Sequence, residues 1–487
     1  MPLKSYLVKF SLILFTLLLL FGIGYLSFFI YKTNYVGNKI TFDKKNSLLD
    51  TIKNLSSGNQ PNLKGVEGGR INILLLGIAG KGKPGQNLTD TIMVASVDPK
   101  TNQAAFISLP RDLFVKIPES GIGMKINSAY QYGINNSNGD EKKSAETVKA
   151  IVSDITGLDI NYYVILNFDG FIKIIDTVDG INIMNERDIY DARYPGSNYS
   201  YETFELKKGF HQLDGVIALK YARERHNDPD GDFGRAKRQQ QIMQATKNKV
   251  FSAGTMINLF AVNEIFNALG DNIKTDVTPA EFESFYELAK KTDVNNMNTV
   301  VIDAWNKDSL LKVSHLETSN GRAFILVPRV GNWSETQELA QNAFDLEKIK
   351  RRKEEIAKED ASIVIINKSG DSALEGKIKK LLNDNFDYKN VTVIKNFDKY
   401  VEPVTIGYDL GKKNIPFTMD EIVKKIPAAA KENMPEIYKK NTENISADLV
   451  LILGSDIVEK YSMEEDSFEE YNKSEDANNY TEFRTTD

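Results

Sequence analysis

A run of 22 residues without a charged side chain, from Phe10 to Tyr31, constrains this chain more than any other feature. About 20 apolar residues span a hydrocarbon core of roughly 30 Å, and Lys9 and Lys32 bracket the run. A buried core helix and a cleaved signal peptide are the alternatives. The run exceeds a usual signal-peptide core, and no small-residue cleavage site follows it. The sequence therefore predicts an uncleaved, single-pass transmembrane anchor.

The composition excludes several classes of function. The chain has 487 residues, 41% hydrophobic and 26% charged, which is typical of globular domains. A net charge of -6 gives no basic field for nucleic acid, so no nucleic-acid partner is expected. The absence of cysteine excludes disulfides, thiolate catalysis and cysteine-ligated zinc. The three histidines are too far apart in sequence to share a helix turn, so a histidine metal site is not expected.

Strand and helix patterns alternate after residue 70. Residues 144–157 predict a helix with Ser144 as its N-cap, one apolar face and Gly157 at its end. Short apolar runs bounded by turn residues predict strands at Ile71–Leu76, Thr91–Val97, Ala104–Leu109 and Tyr162–Phe168. We therefore expect an α/β fold in which helices sandwich a central mixed sheet.

A charged run at Lys348–Asp360 has no clear apolar face and predicts a solvated helix or linker, which we take as a domain boundary. The acidic end of the chain has little that could pack. The predicted organisation is a short cytoplasmic tail (1–9), the transmembrane anchor (10–31), a stalk (32–69), the main α/β domain (70–345), a charged linker (346–360), a small α+β domain (361–456) and a disordered acidic tail (457–487).

The segment Gly77–Pro84 follows a strand and nearly matches the phosphate loop G-x-x-x-x-G-K-[ST]. Pro84 stands where a hydroxyl would hold Mg²⁺, and the residues after it predict more loop. A flexible loop, or one near a phosphate site of another kind, is favoured over a nucleoside triphosphatase.

Two short motifs place charged residues beside strands. Asp90 directly precedes a strand, where an aspartate is usually a turn or cap residue. Arg111 and Asp112 follow a strand, where such a pair is commonly a surface ion pair. Neither motif indicates function by itself.

The block from Tyr221 to Gln240 carries the strongest signal for an anion site. In an extended segment Arg223 and Arg225 share a face, and on a helix Arg235 and Arg238 share a face. Guanidinium forks bind phosphate oxygens in bidentate fashion. The alternative is a solvated face, because nearby carboxylates almost balance the charge, namely Glu224, Asp228, Asp230 and Asp232.

In order along some 175 residues, the segments LLLG, TDTIMVASVDP, SLPRD, KIN, DTVDGI and YARER…DFGRAKRQQ resemble the catalytic domain of the LytR-CpsA-Psr family. Residues 361–456 resemble the small C-terminal domain that often follows it, on SIVIINKSG and ADLVLILG. The resemblance implies a sheet between helices, a long apolar pocket for a polyprenyl chain, and Mg²⁺. It also implies transfer of a phosphoglycan from polyprenyl pyrophosphate to peptidoglycan.

Carried over to this sequence, the resemblance implies a role for each matching residue. Asp90 would be the metal ligand, and Asp232 would orient an arginine or assist the acceptor. Lys125 and Gln239 would be additional polar contacts to the pyrophosphate. Five arginines would surround the pyrophosphate, namely Arg111, Arg223, Arg225, Arg235 and Arg238. The catalytic residues would be Asp232 and three of these arginines, Arg111, Arg223 and Arg225. Ala79 stands where many members carry an aspartate, so metal binding is expected to be weaker.

The sequence leaves three functional hypotheses. The first is an extracytoplasmic glycopolymer–peptidoglycan phosphotransferase, since a phosphoanhydride stores the driving force and no ATP is needed outside the cell. The second is a polyprenyl-pyrophosphate hydrolase, and the third is a polyprenyl-phosphate-binding scaffold without turnover. Lysines flank the anchor on both sides, so charge alone does not orient it, and the body is placed outside on the first hypothesis.

Overall fold

The computed structural model describes residues 63–465, except 119, 197–199, 225–227, 229–230, 252–268, 279–280, 293–296, 305–308, 319–320, 395–398 and 443. The predicted tail, anchor and most of the stalk lie outside the described residues. Among those residues, none of the helices combines the length and the apolar character needed to span a bilayer.

Six strands form a central mixed sheet, in the order β11-β6-β1-β2-β3-β12. The β1–β6 and β3–β12 pairs are parallel, and the other neighbours are antiparallel. The strands of this part of the chain are β1 (Ile71–Ile78), β2 (Thr89–Val97), β3 (Ala104–Leu109), β4 (Phe114–Lys116), β5 (Gly123–Lys125), β6 (Tyr162–Asn167), β7 (Ile181–Asn185), β8 (Ile189–Pro195), β9 (Tyr201–Leu206), β10 (Gly209–Leu213), β11 (Ile273–Thr275) and β12 (Asn298–Val301).

Helices cover both faces of this sheet, as the alternation of side chains along β1 requires. Leu74 and Leu76 pack with the helices that follow β5, whereas Ile71 packs on the opposite face with Tyr162 and Val277. The helices are α1 (Ala129–Asn136), α2 (Glu141–Thr156), α3 (Phe168–Thr177), α4 (Gly215–Arg223), α5 (Gly231–Phe251) and α6 (Phe282–Lys291). The expected mixed α/β architecture is therefore confirmed.

The helix α2 begins three residues before the predicted Ser144. Asp140 is its N-cap, and the Asp140 carboxylate accepts a hydrogen bond from the Lys143 N–H at 3.0 Å. Ser144 is buried inside the helix, and its hydroxyl donates to the Asp140 carbonyl at 2.8 Å. The predicted end is confirmed, because Gly157 follows the helix with a left-handed backbone, φ 63°.

Two antiparallel strand pairs, β7–β10 and β8–β9, form a layer beside the central sheet, and the hairpin β8–β9 is inserted in the chain between β7 and β10. Their inner faces share one apolar core with α3, α4 and α5. That core holds Ile183 from β7, Phe204 from β9 and Tyr221 from α4. The layer therefore fixes the end of α4, from which Arg223 projects.

A second sheet of five strands follows, in the order β16-β15-β19-β17-β18, and has cores of its own. The antiparallel pair β13–β14 precedes it. The elements are β13 (Leu311–Thr318), β14 (Gly321–Pro328), α7 (Ser334–Gln341), α8 (Glu347–Glu359), β15 (Ile363–Asn367), α9 (Leu374–Lys380), β16 (Val391–Ile394), β17 (Ile406–Asp409), α10 (Pro416–Lys425), β18 (Ala429–Lys431), α11 (Glu436–Thr442) and β19 (Leu449–Leu453).

The charged run at Lys348–Asp360 forms the helix α8, and this helix is more than a solvated linker. Ile356 packs against the core of the second sheet. Arg352 forms ion pairs with Glu338 of α7 and with Asp420 of α10. The helix therefore connects the two sheets by direct contacts.

The ordered chain also continues past the predicted start of the acidic tail at residue 457. Ile457 and Tyr461 are buried in the core of the second sheet, at 0% and 4% exposure. These two apolar side chains give the first residues of that segment something to pack against. Residues 466–487 lie outside the described part of the chain.

Candidate functional site

Asp90 and Arg111 meet at the end of the central sheet. Asp90 is the extra residue of a bulge in β2, because Gly77 pairs with Thr91 and Ile78 pairs with Thr89. Arg111 follows the last residue pair of β2 and β3, and its Nη1 donates to Asp90 Oδ1 at 3.1 Å. Bulges re-aim side chains and are common beside active sites. The bulge therefore explains how the Asp90 carboxylate comes to face Arg111.

Asp112 joins two cations at the same end of the sheet. The hairpin β4–β5 pairs Phe114 with Lys125, which brings the lysine back toward Asp112. Lys125 Nζ lies 2.6 Å from Asp112 Oδ1, and Arg111 Nε lies 3.5 Å from Asp112 Oδ2. The Asp112 side chain is only 7% exposed. Two of the predicted phosphate-binding cations are thus held side by side by one buried carboxylate.

The helix α5 contributes Arg235 and Gln239 to the same place. Arg235 Nη2 lies 3.4 Å from the Asp90 carbonyl oxygen. The Gln239 amide donates to Thr91 Oγ1 at 3.0 Å and to the Ala222 carbonyl at 3.3 Å. Asp90, Arg111, Lys125, Arg235 and Gln239 therefore converge, although they are separated by up to 149 positions.

The sequence predicted an extended segment at Arg223. The structure instead makes Arg223 the last residue of the helix α4. Its guanidinium carbon lies 4.4 Å from the ring centroid of Phe168 and 5.7 Å from that of Tyr194. Burial raises the pKa of Tyr194 to about 12, against the nearby Arg223 charge, so the phenol stays neutral. Arg223 thus makes cation–π contacts rather than an ion pair with these residues.

Arg238 is only 6% exposed and is held by the chain around it. Its Nε donates to the Tyr221 carbonyl at 2.9 Å. Its other nitrogens donate to the Glu224 carbonyl and to Asp228, which also pairs with Arg187. Arg238 shares the inner face of α5 with Arg235, as predicted, but these contacts give it a role in holding the segment between α4 and α5.

Two of the predicted site residues lie wholly or partly outside the described part of the chain. Arg225 lies outside the described residues. The backbone of Asp232 lies in the first turn of α5, and its side chain is not among those that the structure describes. Their roles stay predictions.

The glycine-rich segment after β1 is a loop that returns directly to a strand. Gly80 has a left-handed backbone, φ 95°, and its N–H donates to the Gln86 carbonyl at 3.0 Å. Lys83 Nζ lies 2.6 Å from Asp169 Oδ2 at the start of α3. Because no helix follows this loop, the arrangement of a nucleotide phosphate loop is absent from these residues.

The sequence prediction omitted Asp112 and Thr91 as site residues. Asp112 directly follows Arg111 in SLPRD, and the sequence predicts only a surface ion pair between the two. Its importance depends on Lys125 returning through a three-residue strand pair, which no local pattern reveals. Thr91 appeared only as a strand residue in the sequence.

The residues at the site fit Mg²⁺ only if substrate phosphates supply part of its ligands. Among the described residues no group of three or more histidine, aspartate or glutamate side chains could hold a metal. Mg²⁺ is, however, commonly bound through one or two carboxylates plus substrate phosphates. The Asp90 side chain is 43% exposed, and its Oδ2 accepts no hydrogen bond from a described residue. Ala79 offers no ligand and is buried.

A mixed sheet between helices, with arginine, lysine and carboxylate groups meeting at one end, defines an α/β protein with a candidate anion site. The chain belongs to the LytR_cpsA_psr family, which it matches over residues 32–321.

The chain is similar to relatives named polyisoprenyl-teichoic acid–peptidoglycan teichoic acid transferase TagU. It is 32% identical to the one from Enterococcus faecalis over 247 residues, covering 50% of this chain and 73% of the relative. It is 32% identical to the one from Oceanobacillus iheyensis over 261 residues, covering 53% and 71%. The crystal structure of B. subtilis TagV is 26% identical, with a TM-score of 0.44, covering 57% of this chain and 97% of that one.

Proposed function

We propose that this protein is a phosphotransferase that moves a phosphoglycan from a polyprenyl-pyrophosphate carrier to peptidoglycan. The observation that carries the proposal is the convergence of Arg111, Lys125 and Arg235 around Asp90 and Asp112. The family and the names of the relatives support the reaction class.

The chemistry requires charge stabilisation more than a covalent intermediate. An acceptor hydroxyl oxygen attacks the phosphorus that bears the glycan, and the bond from that phosphorus to the bridging oxygen breaks. The bridging oxygen leaves with the electron pair as polyprenyl phosphate. Arg111, Lys125 and Arg235 would hold the diphosphate oxygens and stabilise the charge that develops on the leaving group. The hydroxyl proton would pass to whichever of Asp90 and Asp232 is not committed to metal or arginine. Asp90 is already paired with Arg111, which favours Asp232.

Arg223 and Arg225 would complete the proposed diphosphate site, with Arg238 and Gln239 behind it. Arg223 would reach the diphosphate from the end of α4, where its guanidinium lies against Phe168. Mg²⁺ would be held by Asp90 together with donor phosphate oxygens, and when bound it would add positive charge. Ala79 leaves the ion without a second carboxylate from the loop after β1, so we expect weak binding.

We propose that residues 70–345 act as the catalytic domain, on the outer side of the cell membrane. The uncharged run at 10–31 would anchor the chain, with its first nine residues in the cytoplasm. Residues 361–456 would form a separate C-terminal domain. A single cysteine introduced at the exposed Lys100 tests the orientation. Labelling in intact cells by a membrane-impermeant maleimide supports it, and labelling only after lysis contradicts it.

The deciding experiment uses the full-length protein in vesicles with a polyprenyl-pyrophosphate sugar. It is run with and without peptidoglycan fragments, in Mg²⁺ or in EDTA. Sugar phosphate attached to peptidoglycan supports the transferase. Release of sugar phosphate regardless of acceptor indicates the hydrolase, and tight binding without product indicates the scaffold. Mn²⁺ binding followed by electron paramagnetic resonance, in wild type and Asp90→Asn, tests the metal site without relying on turnover.

A further inference from the structure

Large apolar side chains are exposed mainly in one stretch of the first part of the chain. Of those exposed in the described part of residues 63–345, all but Ile122 lie between residues 184 and 216. Phe210 is the most exposed, at 80%. The group consists of Met184, Tyr190, Tyr201, Phe210 and Val216. Single exposed apolar residues are ordinary, whereas a group of them marks an interaction surface.

The register of β7 and β10 places two of these side chains on one outward face. Phe210 pairs directly with Met184. The adjacent Ile183 points the other way and is buried in the core shared with α3, α4 and α5. Side chains alternate along a strand, so Phe210 and Met184 lie on the face away from that core.

The hairpin β8–β9 repeats the arrangement of the pair β7–β10. Tyr190 pairs with Glu205 across β8 and β9, and Tyr201 lies on the same face of β9 because it is four residues from Glu205. Phe204 and Leu206, on the other face, are buried in the same shared core. Both strand pairs therefore turn their exposed apolar side chains away from the core that they share.

The inner side of this layer contacts the proposed diphosphate site. Tyr194 of β8 lies in the shared core, and its ring centroid is 5.7 Å from the Arg223 guanidinium carbon. Arg223 therefore lies on the inner side of β8, whose outer side carries the exposed Tyr190.

The charges and the connection to the anchor indicate which surface this is. Lys208 is exposed in the connection from β9 to β10, two residues from Phe210, whereas the neighbouring Lys207 is paired with Glu205 at 2.6 Å and with Asp188 at 3.6 Å. Aromatic side chains beside a lysine suit the headgroup region of a bilayer. The 31 residues between the proposed anchor and Leu63 reach at most about 110 Å when fully extended. The body is thus tethered near a bilayer.

We propose that the outer side of the strand pairs β7–β10 and β8–β9 docks on the bilayer surface, with Phe210 and Met184 among the acyl chains near the headgroups. The inference rests on the proposed function, because a lipid-linked donor must present its diphosphate at the membrane surface. Docking would place Arg223 beside the headgroups, where that diphosphate lies.

The test uses the absence of native cysteine. Phe210→Cys gives a single labelling site on an exposed side chain, and Lys100→Cys gives a matched control. Lys100 is exposed in the turn after β2, at the opposite end of that strand from Asp90. Each full-length variant carries an environment-sensitive fluorophore. It is reconstituted in phosphatidylglycerol vesicles with or without dibrominated phosphatidylcholine.

Docking predicts that bromine quenches most of the emission at position 210 and little at position 100. Equal quenching at the two positions overturns the proposal. Close label–label contacts at position 210 without quenching also overturn it, because the face would then cover a second copy of the chain. Neither reading depends on turnover, so a protein that fails to transfer sugar phosphate would leave this result intact.

A kinetic variant gives an independent reading. In Phe210→Ser with Met184→Ser we expect KM for a bilayer-embedded donor to rise about tenfold, since a buried aromatic side chain contributes on that scale. The kcat/KM for a water-soluble, short-chain donor should stay unchanged. An equal loss with both donors would show that the hairpin face acts on the site itself and not through the bilayer.

Discussion

Arg111 lies opposite Asp90 two residues beyond the last paired residues of β2 and β3, Ile92 and Leu109. The Arg111 Nη1 atom is 3.1 Å from Asp90 Oδ1, and the arginine is 16% exposed. The Nε atom of the same guanidinium lies 3.5 Å from Asp112 Oδ2. Two carboxylates on either side of the strand end therefore fix the orientation of the Arg111 guanidinium.

Replacing Arg111 tests whether the guanidinium stabilises the transition state. We expect Arg111→Ala to lower kcat by about 10²–10³, the range for removing one preorganised donor. Arg111→Lys should recover only part of it, because an ammonium lacks the planar fork. The control is Arg322→Ala, on the partly exposed end of β14. Wild-type transfer rates in Arg111→Ala would remove this residue from the site.

Asp112 is expected to hold Arg111 and Lys125 in place. Asp112→Asn removes the charge that both cations share, so we expect a loss of about 1–3 kcal/mol in the free energy of unfolding by urea. The KM for the donor should rise as the cations move apart. Asp169→Asn is the matched control, because Asp169 is 53% exposed in its pair with Lys83 and should cost less than about 1 kcal/mol. Equal effects of the two variants would contradict the role of Asp112.

Local patterns predicted the elements that position the site. The strand at Ala104–Leu109 has the expected bounds, since it is a short apolar run between turn residues. The predicted apolar face of α2 is buried against the central sheet, as its spacing required, through Val148, Ile151, Val152 and Ile155.

Features that depend on distant residues could not be predicted. The bulge at Asp90 exists only through the pairing of β1 with β2. Arg223 lies in a helix because Asp214 caps the helix start and the apolar residues of the helix face the shared core, which its spacing to Arg225 does not reveal. Arg352 in the charged run finds carboxylates on two other helices, which composition alone does not reveal.

A buried ion pair beside the second sheet should dominate stability there. Arg329 Nε and Nη2 lie 2.7 Å from the two oxygens of Glu335, and both side chains are at most 7% exposed. Glu335→Ala leaves a buried guanidinium without this carboxylate, which costs about 3–5 kcal/mol. Urea unfolding measures the loss. The control, Lys350→Ala, breaks an exposed pair with Glu347 and should change stability by less than about 1 kcal/mol.

Glu421 on α10 should make stability depend on pH. Burial raises its pKa above the ordinary 4.5, and Glu338 adds to this, while Lys425 and Arg352 only partly oppose it. The folded state then binds the proton more tightly than the unfolded state, so Glu421 favours folding at low pH. That contribution is lost as pH rises from about 4.5 through the raised pKa.

Glu421→Gln removes this titration. We expect the variant to be more stable than wild type at pH 8, with the difference shrinking as pH falls toward 4.5. Urea unfolding of both proteins across that range measures it. The comparison variant is Glu436→Gln, an exposed residue paired with Lys439, which should show no such trend. The opposite trend would contradict this prediction. If the stability of Glu421→Gln relative to wild type were lower at pH 8 than at pH 4.5, the charges of Arg352 and Lys425 would outweigh the effect of burial on Glu421.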